Sequence, residues 1–271
     1  MMRKFSISVL LLFIAFLSFA EQDKWQAGSR SAGMGDASLM NQDVWAGFNN
    51  PGALTGVSDM SLGLNWENQF MVNELSRASL AFVTPFSNSA VGVSFSRFGY
   101  SLYSENRLSV AYSMQLAEWL SMGVQLNYFN TIQPEAYGNT NLLTFDIGLL
   151  ATPGDDFMFG AHVFNPANIA FSGEQNRELP VAMRLGVGYW FSEDMLASVE
   201  AETDMADYTM VKVGFEYRLL DNFFLRTGIN AKPLKASFGV GWKWKNLNID
   251  LAYSYHNILG SSPHLGVSYA L

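Results

Sequence analysis

The chain has 271 residues, of which 49% are apolar, 15% are charged and none is cysteine, and its formal net charge at pH 7 is −8. This composition is too apolar for a disordered chain. With no cysteine, a disulfide scaffold and a thiolate metal site are both excluded. Because the charge is negative and no basic cluster occurs, the sequence also predicts no nucleic-acid partner.

The first twenty residues have the pattern of a secretory signal. Arg3 and Lys4 form a positive start, residues 9–17 form an apolar run, and residues 18–20 read Ser-Phe-Ala, a small-x-small cleavage site. The alternative is an N-terminal membrane anchor, but the apolar run is short for a membrane span. Residues 1–20 are therefore predicted to be a signal peptide that is removed after export.

The next segment, residues 21–58, shows no strand-like alternation and is rich in glycine. Gly33 and Gly35 would allow close backbone approach, and Asn50-Pro51 suits a tight turn. One interpretation is a periplasmic tail. The favoured interpretation is a hatch packed inside a barrel, because a wide barrel has a lumen that wall side chains cannot fill.

From residue 59 onward, apolar residues recur at every second position, which is typical of β-strands with one apolar face. Most of the segments are long enough to cross a membrane as tilted strands, and their number is even, as in single-chain bacterial barrels. The sequence predicts an all-β transmembrane antiparallel barrel of about fourteen strands over residues 59–271. The predicted strands are 59–66, 76–84, 89–98, 106–116, 120–130, 142–151, 157–164, 181–191, 195–203, 209–219, 223–230, 234–244, 247–255 and 264–271.

The two faces of these strands differ in charge. Arg97 is the only charged residue on the apolar face, whereas the opposite face carries the other strand charges among glycine, serine and asparagine. A soluble β-sandwich would place dense charge on its polar face. A sparsely charged face of small residues instead favours a lumen packed by another segment, with the apolar face toward outer-membrane lipid.

The lengths of the predicted joints alternate along the chain. Joints after even-numbered strands are short, and joints after odd-numbered strands are mostly longer. Short periplasmic turns and long outer loops are the rule in bacterial barrels. Both termini are therefore predicted in the periplasm, and residues 165–180 outside the cell.

Charged residues of both signs are predicted on the lumen face of neighbouring strands. Opposite charges across strands commonly pair, so the favoured interpretation is an ion-pair ladder that holds the hatch or braces the wall. A site for a cation or a substrate headgroup is the alternative. The predicted ladder consists of Arg184, Glu200, Glu202, Lys212, Glu216 and Arg218.

No catalytic motif appears in the chain. It contains no phosphate-binding loop, no His-Glu-x-x-His and no Gly-x-Ser-x-Gly. His162 and His264 are predicted as polar lumen residues on distant strands, and His256 as a loop residue. The sequence thus predicts no catalytic residue, no metal, no cofactor and no enzymatic activity.

Several stretches together resemble the FadL/PorV-type outer-membrane barrels, which include fatty-acid transporters and PorV/PorQ-like proteins of type IX secretion. The early stretches are residues 28–37, GSRSAGMGDA, and residues 50–54, NPGAL. The later stretches resemble the PorV/PorQ branch more than the transporters, and they are 165–166, 179–180, 184–186, 214–217, 225–228 and 250–255. The resemblance implies fourteen strands and an N-terminal hatch in a barrel of the bacterial outer membrane.

The resemblance leaves two functions open. One is a passive conduit for hydrophobic small molecules, and the other is an accessory barrel whose partners are secretion-system proteins. The accessory function is favoured by the PorV/PorQ-like stretches. An outer-membrane enzyme is a remote third interpretation.

Overall fold

The computed structural model describes residues 25–134, 138–169, 179–204, 209–232 and 234–271, so the predicted signal peptide lies outside the described residues. Fourteen strands form one closed antiparallel barrel, in which each strand pairs with its sequence neighbours and β1 pairs with β14. The predicted fold class is confirmed. The strands are β1 Ser61–Asn68, β2 Ser76–Phe86, β3 Ser89–Gly99, β4 Ser104–Ala117, β5 Leu120–Ile132, β6 Thr140–Ala151, β7 Phe157–Phe164, β8 Ala182–Ser192, β9 Met195–Asp204, β10 Thr209–Leu220, β11 Phe223–Ala231, β12 Leu234–Trp244, β13 Leu247–His256 and β14 Gly260–Ala270.

The alternation of the sequence becomes the two faces of the wall. On β5, Leu126 is 60% exposed, whereas its neighbours Gln125 and Asn127 are 2% and 0% exposed. Arg97 also lies on the outer face, as expected. The exterior therefore presents an apolar belt, and the lumen receives the polar side chains. No helix in the described part of the chain is long and apolar enough to cross a membrane.

The last hairpin differs from the sequence prediction. β14 begins at Gly260 rather than at residue 264, and His256 is the buried end of β13 rather than a loop residue. The predicted joint covered residues 256–263, yet Pro263 lies within β14 opposite Tyr253. The joint is accordingly the short turn 257–259, where the His256 Nδ1 accepts hydrogen bonds from two backbone N–H groups.

The two rims still differ in the length of their joints. One rim has the turns 87–88, 118–119, 193–194, 221–222 and 245–246, and the longer 152–156. The other rim carries the β1–β2 joint, residues 69–75, which includes the 3₁₀ helices Gln69–Met71 and Asn73–Leu75. It also carries the β7–β8 joint 165–181, of which residues 170–178 lie outside the described residues. By the barrel rule, this second rim is the one expected to face out of the cell.

The segment before β1 packs inside the barrel, and residues 25–58 are called the inner segment below. It contains two short helices, α1 (Ser29–Gly33) and α2 (Ala46–Asn49), and the 3₁₀ helix Pro51–Gly56. Helix α1 contacts β11–β14, whereas the 3₁₀ helix contacts β2–β6 across the lumen. The segment thus reaches from one side of the wall to the other.

The apolar core of the protein is built largely from the inner segment. Leu39, Met40, Trp45 and Leu54 are each at most 3% exposed and belong to one buried apolar cluster. Wall residues such as Val83 complete this cluster. Burial of apolar side chains inside the barrel, and not only polar contact, therefore stabilises the inner segment.

Candidate functional site

The inner segment touches the wall where the wall side chains are smallest. A Cβ atom added to Gly228 of β11 would lie 2.2 Å from the Met34 carbonyl carbon. At Gly123 of β5 it would lie 2.4 Å from the Pro51 carbonyl carbon. Other wall glycines that a Cβ would bring against the inner segment are Gly63, Gly92, Gly148, Gly160, Gly186, Gly214, Gly239 and Gly266. These glycines provide the space that the inner segment fills.

The predicted turn residues of the segment lie at this contact. The Asn50 side-chain amide donates to the backbone oxygens of Leu39 and of Leu149 in β6, at 2.9 Å each. Its Oδ1 accepts from the Gly52 N–H at 3.0 Å. Asn50 is fully buried, so it joins the inner segment to the wall in a site without bulk water. Pro51 is the first residue of the 3₁₀ helix. An N–H at this position would have no partner within the helix, so proline costs no hydrogen bond there.

Gly33 and Gly35 lie on the other side of the lumen. Gly35 has a φ of +64°, and a Cβ there would lie 2.7 Å from the Ile229 backbone nitrogen. Gly33 packs against Gly239 of β12. Both positions therefore need the close backbone approach that glycine permits.

Four of the six predicted ladder residues form one buried cluster. Arg184 Nε lies 2.7 Å from Glu200 Oε1, and Lys212 Nζ lies 3.0 Å from the same oxygen. Lys212 also pairs with Glu202. Arg184, Glu200 and Lys212 are each at most 4% exposed. A fully paired charge cluster in this setting is electrostatically strong because the surroundings screen it weakly.

The same cluster also binds the backbone of the inner segment. Glu200 Oε2 accepts from the N–H groups of Ser38 and Leu39 at 3.1 and 3.2 Å. Arg184 Nη1 donates to the Asn49 carbonyl oxygen at 2.6 Å. These charged groups thus hold the inner segment as well as pairing with one another, and no separate headgroup site is needed to account for them.

Glu216 belongs to a second cluster, which the sequence did not separate from the first. Arg30 of α1 donates to both Glu216 oxygens, at 2.9 Å to Oε2 and 2.6 Å to Oε1. Arg226 of β11 binds the same Oε2 at 2.5 Å and Asp250 Oδ1 of β13 at 2.6 Å. Arg30 also lies 3.3 Å from Asp43 Oδ2. Glu216 therefore ties α1 to three strands of the wall.

Burial and neighbouring charges shift the pKa values of two inner-segment groups in this second cluster. Burial opposes the charge on Arg30, but the carboxylates of Glu216 and Asp43 outweigh it and raise the Arg30 pKa. Burial raises the pKa of Asp43 above its ordinary 3.8, more than Arg30 and the Trp45 N–H lower it. The cluster holds three carboxylates, including Asp250, and only two guanidinium groups. Asp43 contacts one of these guanidinium groups, that of Arg30, and this contact is too weak to offset the effect of its burial.

Arg218 lies apart from both clusters, which corrects its predicted place in the ladder. It pairs with Asp194 in the β8–β9 turn at 2.6 Å, with side chains 37% and 50% exposed. Arg218 and Lys212 share a face of β10, but six residues separate them by about 20 Å along a strand. The predicted ladder is therefore two lumen clusters and one rim pair.

The sequence prediction missed several charged residues that form ion pairs inside the barrel. Arg30 and Asp43 were absent from the ladder because their segment gave no strand register. Asp36 pairs with Lys235 of β12 at 2.6 Å. Arg107 of β4 pairs with Asp146 of β6 at 3.2 Å inside the lumen. The signal that could have found the wall residues is their position on the lumen face, but their partners follow only from the fold.

Two of the histidines each lie beside one carboxylate of the lumen. His162 lies on β7, and its Nε2 is 3.8 Å from Asp146 Oδ2. His264 lies on β14, and its Nδ1 is 3.6 Å from Glu67 Oε2. A polar cavity of about 50 Å³ lies toward the long-loop rim, beside Gln26 and Glu67, with room for a few water molecules. Within the described residues, no group of three or more histidines and carboxylates could hold a metal ion.

A closed ring of fourteen antiparallel strands with an apolar exterior and a polar, filled lumen defines an outer-membrane β-barrel. The model of the family described as type IX secretion system membrane protein PorP/SprF matches residues 46–264. The chain belongs to this family. The resemblance to the FadL/PorV-type barrels is thereby confirmed, and within type IX secretion the matched family is PorP/SprF, whereas the sequence motifs favoured PorV/PorQ.

The fold is also similar to several solved structures. One is the Ralstonia pickettii toluene transporter TbuX, with a TM-score of 0.71 and 12% identity over 92% of this chain and 99% of that one. Another is the Pseudomonas putida toluene transporter TodX, with a TM-score of 0.71 and 13% identity over the same shares. A Pseudomonas aeruginosa FadL homologue has a TM-score of 0.69 and 12% identity over 92% and 100%. At this identity the likeness shows the fold alone. No curated protein matches the chain in sequence.

Proposed function

We propose that the protein is a non-conducting outer-membrane component of a type IX secretion system, which contacts other secretion proteins through its rims and does not itself pass cargo. The observation that carries this proposal is the PorP/SprF family match over residues 46–264. The proposal assigns no catalytic residue, cofactor or metal to the chain.

The packing of the lumen supports a role without transport. Wall glycines, Asn50 and two charge clusters hold the inner segment on opposite sides of the lumen. Moving it would break buried charge pairs, each costing about 3–5 kcal/mol when one partner is left alone. A conduit needs a path that opens at low cost, so passive uptake of hydrophobic molecules is the less favoured function.

Deletion of the gene, with and without complementation by the wild-type chain, tests the proposal. Surface delivery of a secreted reporter protein and uptake of labelled toluene and a labelled fatty acid are measured in the same cells. Lost delivery with unchanged uptake supports the secretion role. Unchanged delivery overturns it, and lost uptake in those cells then identifies a conduit.

A further inference from the structure

The rim that carries the short joints, called the short-turn rim below, has six turns that differ in charge. The β2–β3 turn 87–88 is uncharged, the β12–β13 turn 245–246 carries a lysine, and the other four carry carboxylates. These exposed carboxylates are Glu118, Asp155, Asp156, Glu193, Asp194 and Asp221. The internal stretches outside the described residues all belong to joints of the other rim, so these six turns are complete. The β12–β13 turn is therefore the one positively charged turn of an otherwise acidic rim.

Two lysines lie at this turn. Lys243 is near the end of β12, Lys245 is the first turn residue, and both are exposed. Arg218, which also lies at this rim, is paired with Asp194 at 2.6 Å. Among the described residues, no carboxylate lies within ion-pair distance of either lysine. The charge of this turn is thus left for an anion from outside the described chain.

The backbone of Lys245 is strained. Its φ is +53°, in a turn of only two residues. Glycine, asparagine and aspartate are the usual residues at such positions of two-residue hairpin turns, because other side chains crowd the left-handed backbone. Strained residues often occur where a side chain serves in binding. The side chain of Lys245, and not the geometry of the turn, therefore accounts for a lysine here.

The outer face beside Lys245 suits the headgroup level of a membrane. Trp242 and Trp244 are stacked, with ring centroids 6.2 Å apart, and are 42% and 56% exposed. Lys245 Nζ lies 5.8 Å from the centroid of the Trp244 ring. Tryptophan is enriched where lipid meets water. Farther along the same face of β12, Phe238 is 56% exposed and offers apolar surface to an acyl chain.

We propose that Lys245 and the indoles of Trp242 and Trp244 bind one anionic phospholipid, with the headgroup phosphate at the lysine and an acyl chain along the outer face of β12. Basic residues at the edge of a membrane attract anionic lipid headgroups. A lipid supplies both groups that this site requires, because the phosphate neutralises the ammonium and the chain covers the apolar surface. The carboxylates of the other turns repel such a headgroup, so the site is confined to the β12–β13 turn. The site is independent of the proposed secretion role.

Mass spectrometry of the intact protein, released from micelles that contain equal amounts of phosphatidylglycerol and phosphatidylethanolamine, measures which lipid is retained. Lys245→Gly removes the ammonium and suits the positive φ, so it should fold at least as stably as the wild type. Lys245→Arg restores a cation. Lys243→Gln is the matched control, because it removes the same charge two residues away on the opposite face of β12.

The wild type should retain one phosphatidylglycerol per chain, and Lys245→Gly should need about fivefold more lipid for the same occupancy, the factor for one basic residue at an anionic surface. Lys245→Arg and Lys243→Gln should retain the lipid as the wild type does. Equal retention by the wild type and Lys245→Gly, an equal loss in Lys243→Gln, or equal retention of phosphatidylethanolamine overturns the proposal. A lower melting temperature for Lys245→Gly than for the wild type would assign the lysine to the structure of the turn and would also overturn it.

Discussion

Gly33 of α1 packs directly against Gly239 of β12: a Cβ added to Gly33 would lie 3.0 Å from the Gly239 Cα. This contact joins the backbone of the inner segment to the backbone of the wall. No side chain separates the two, so neither strand nor segment can move toward the other. The position of the inner segment is thus fixed by sterics as well as by charge.

Substitution of a wall glycine should displace the inner segment. Gly228→Ala places a Cβ 2.2 Å from the Met34 carbonyl carbon, and overpacking of this kind costs about 1–3 kcal/mol. The expected result is a lower midpoint for heat-induced loss of the compact band in gel electrophoresis. Gly47→Ala is the control, because its Cβ would meet nothing closer than 3.6 Å. Equal midpoints for the two variants would contradict the packing described.

Removal of a buried charge should cost far more than removal of an exposed one. Glu200→Gln leaves Arg184 and Lys212 short of a buried partner and should lower the free energy of unfolding by about 3–5 kcal/mol. Arg218→Gln breaks only the exposed pair with Asp194 and should cost less than about 1 kcal/mol. Urea unfolding followed by tryptophan fluorescence measures both. A larger loss of unfolding free energy for Arg218→Gln than for Glu200→Gln would contradict the assignment of Glu200 to a buried cluster and of Arg218 to an exposed pair.

The raised pKa of Asp43 predicts a pH dependence of stability. A carboxyl whose folded pKa lies above its ordinary 3.8 stabilises the fold most when protonated, and this contribution falls as pH rises through the folded pKa. Asp43→Asn keeps an acceptor for the Trp45 N–H but does not titrate. The wild-type melting temperature minus that of Asp43→Asn should therefore decrease from pH 4 to pH 8. A difference that increases with pH would contradict the assigned direction.

Loop lengths predict which rim faces out of the cell. Residues 165–180 are expected outside, and an impermeant maleimide tests the same orientation at described positions. Ser101→Cys, in the β3–β4 loop, should react in intact cells, whereas Asp155→Cys, in the β6–β7 turn, should react only after permeabilisation. Both side chains belong to exposed residues, so accessibility within the protein is matched. The reverse labelling pattern would show that the barrel has the opposite orientation in the membrane.

The wall could be predicted from the sequence because the alternation of apolar and polar residues within each strand identifies its two faces. Leu126 between Gln125 and Asn127 shows the alternation in three residues. The ion pairs could not be predicted in the same way. Arg30 and Glu216 are 186 residues apart, and their pairing depends on where the inner segment lies.

The same limit explains the errors at the ends of strands. Pro263 was predicted at the end of a loop, yet it lies in β14 because the β13–β14 turn is tight. Likewise, the prediction placed Arg218 on the correct face of β10 but at the level of the lumen clusters, whereas it lies at the rim beside Asp194. Residue spacing along a strand gives the face at once, whereas height in the barrel depends on the register with neighbouring strands.

Ion conductance of the purified protein in planar bilayers tests the closed lumen most directly. The intact chain should give little or no steady conductance, because the inner segment crosses the lumen from β11–β14 to β2–β6. Deletion of residues 28–56 should open a steady pore, and a heat-modifiable band identifies preparations in which the barrel has folded. Large, stable conductance from the intact protein would contradict a closed lumen and identify a general porin.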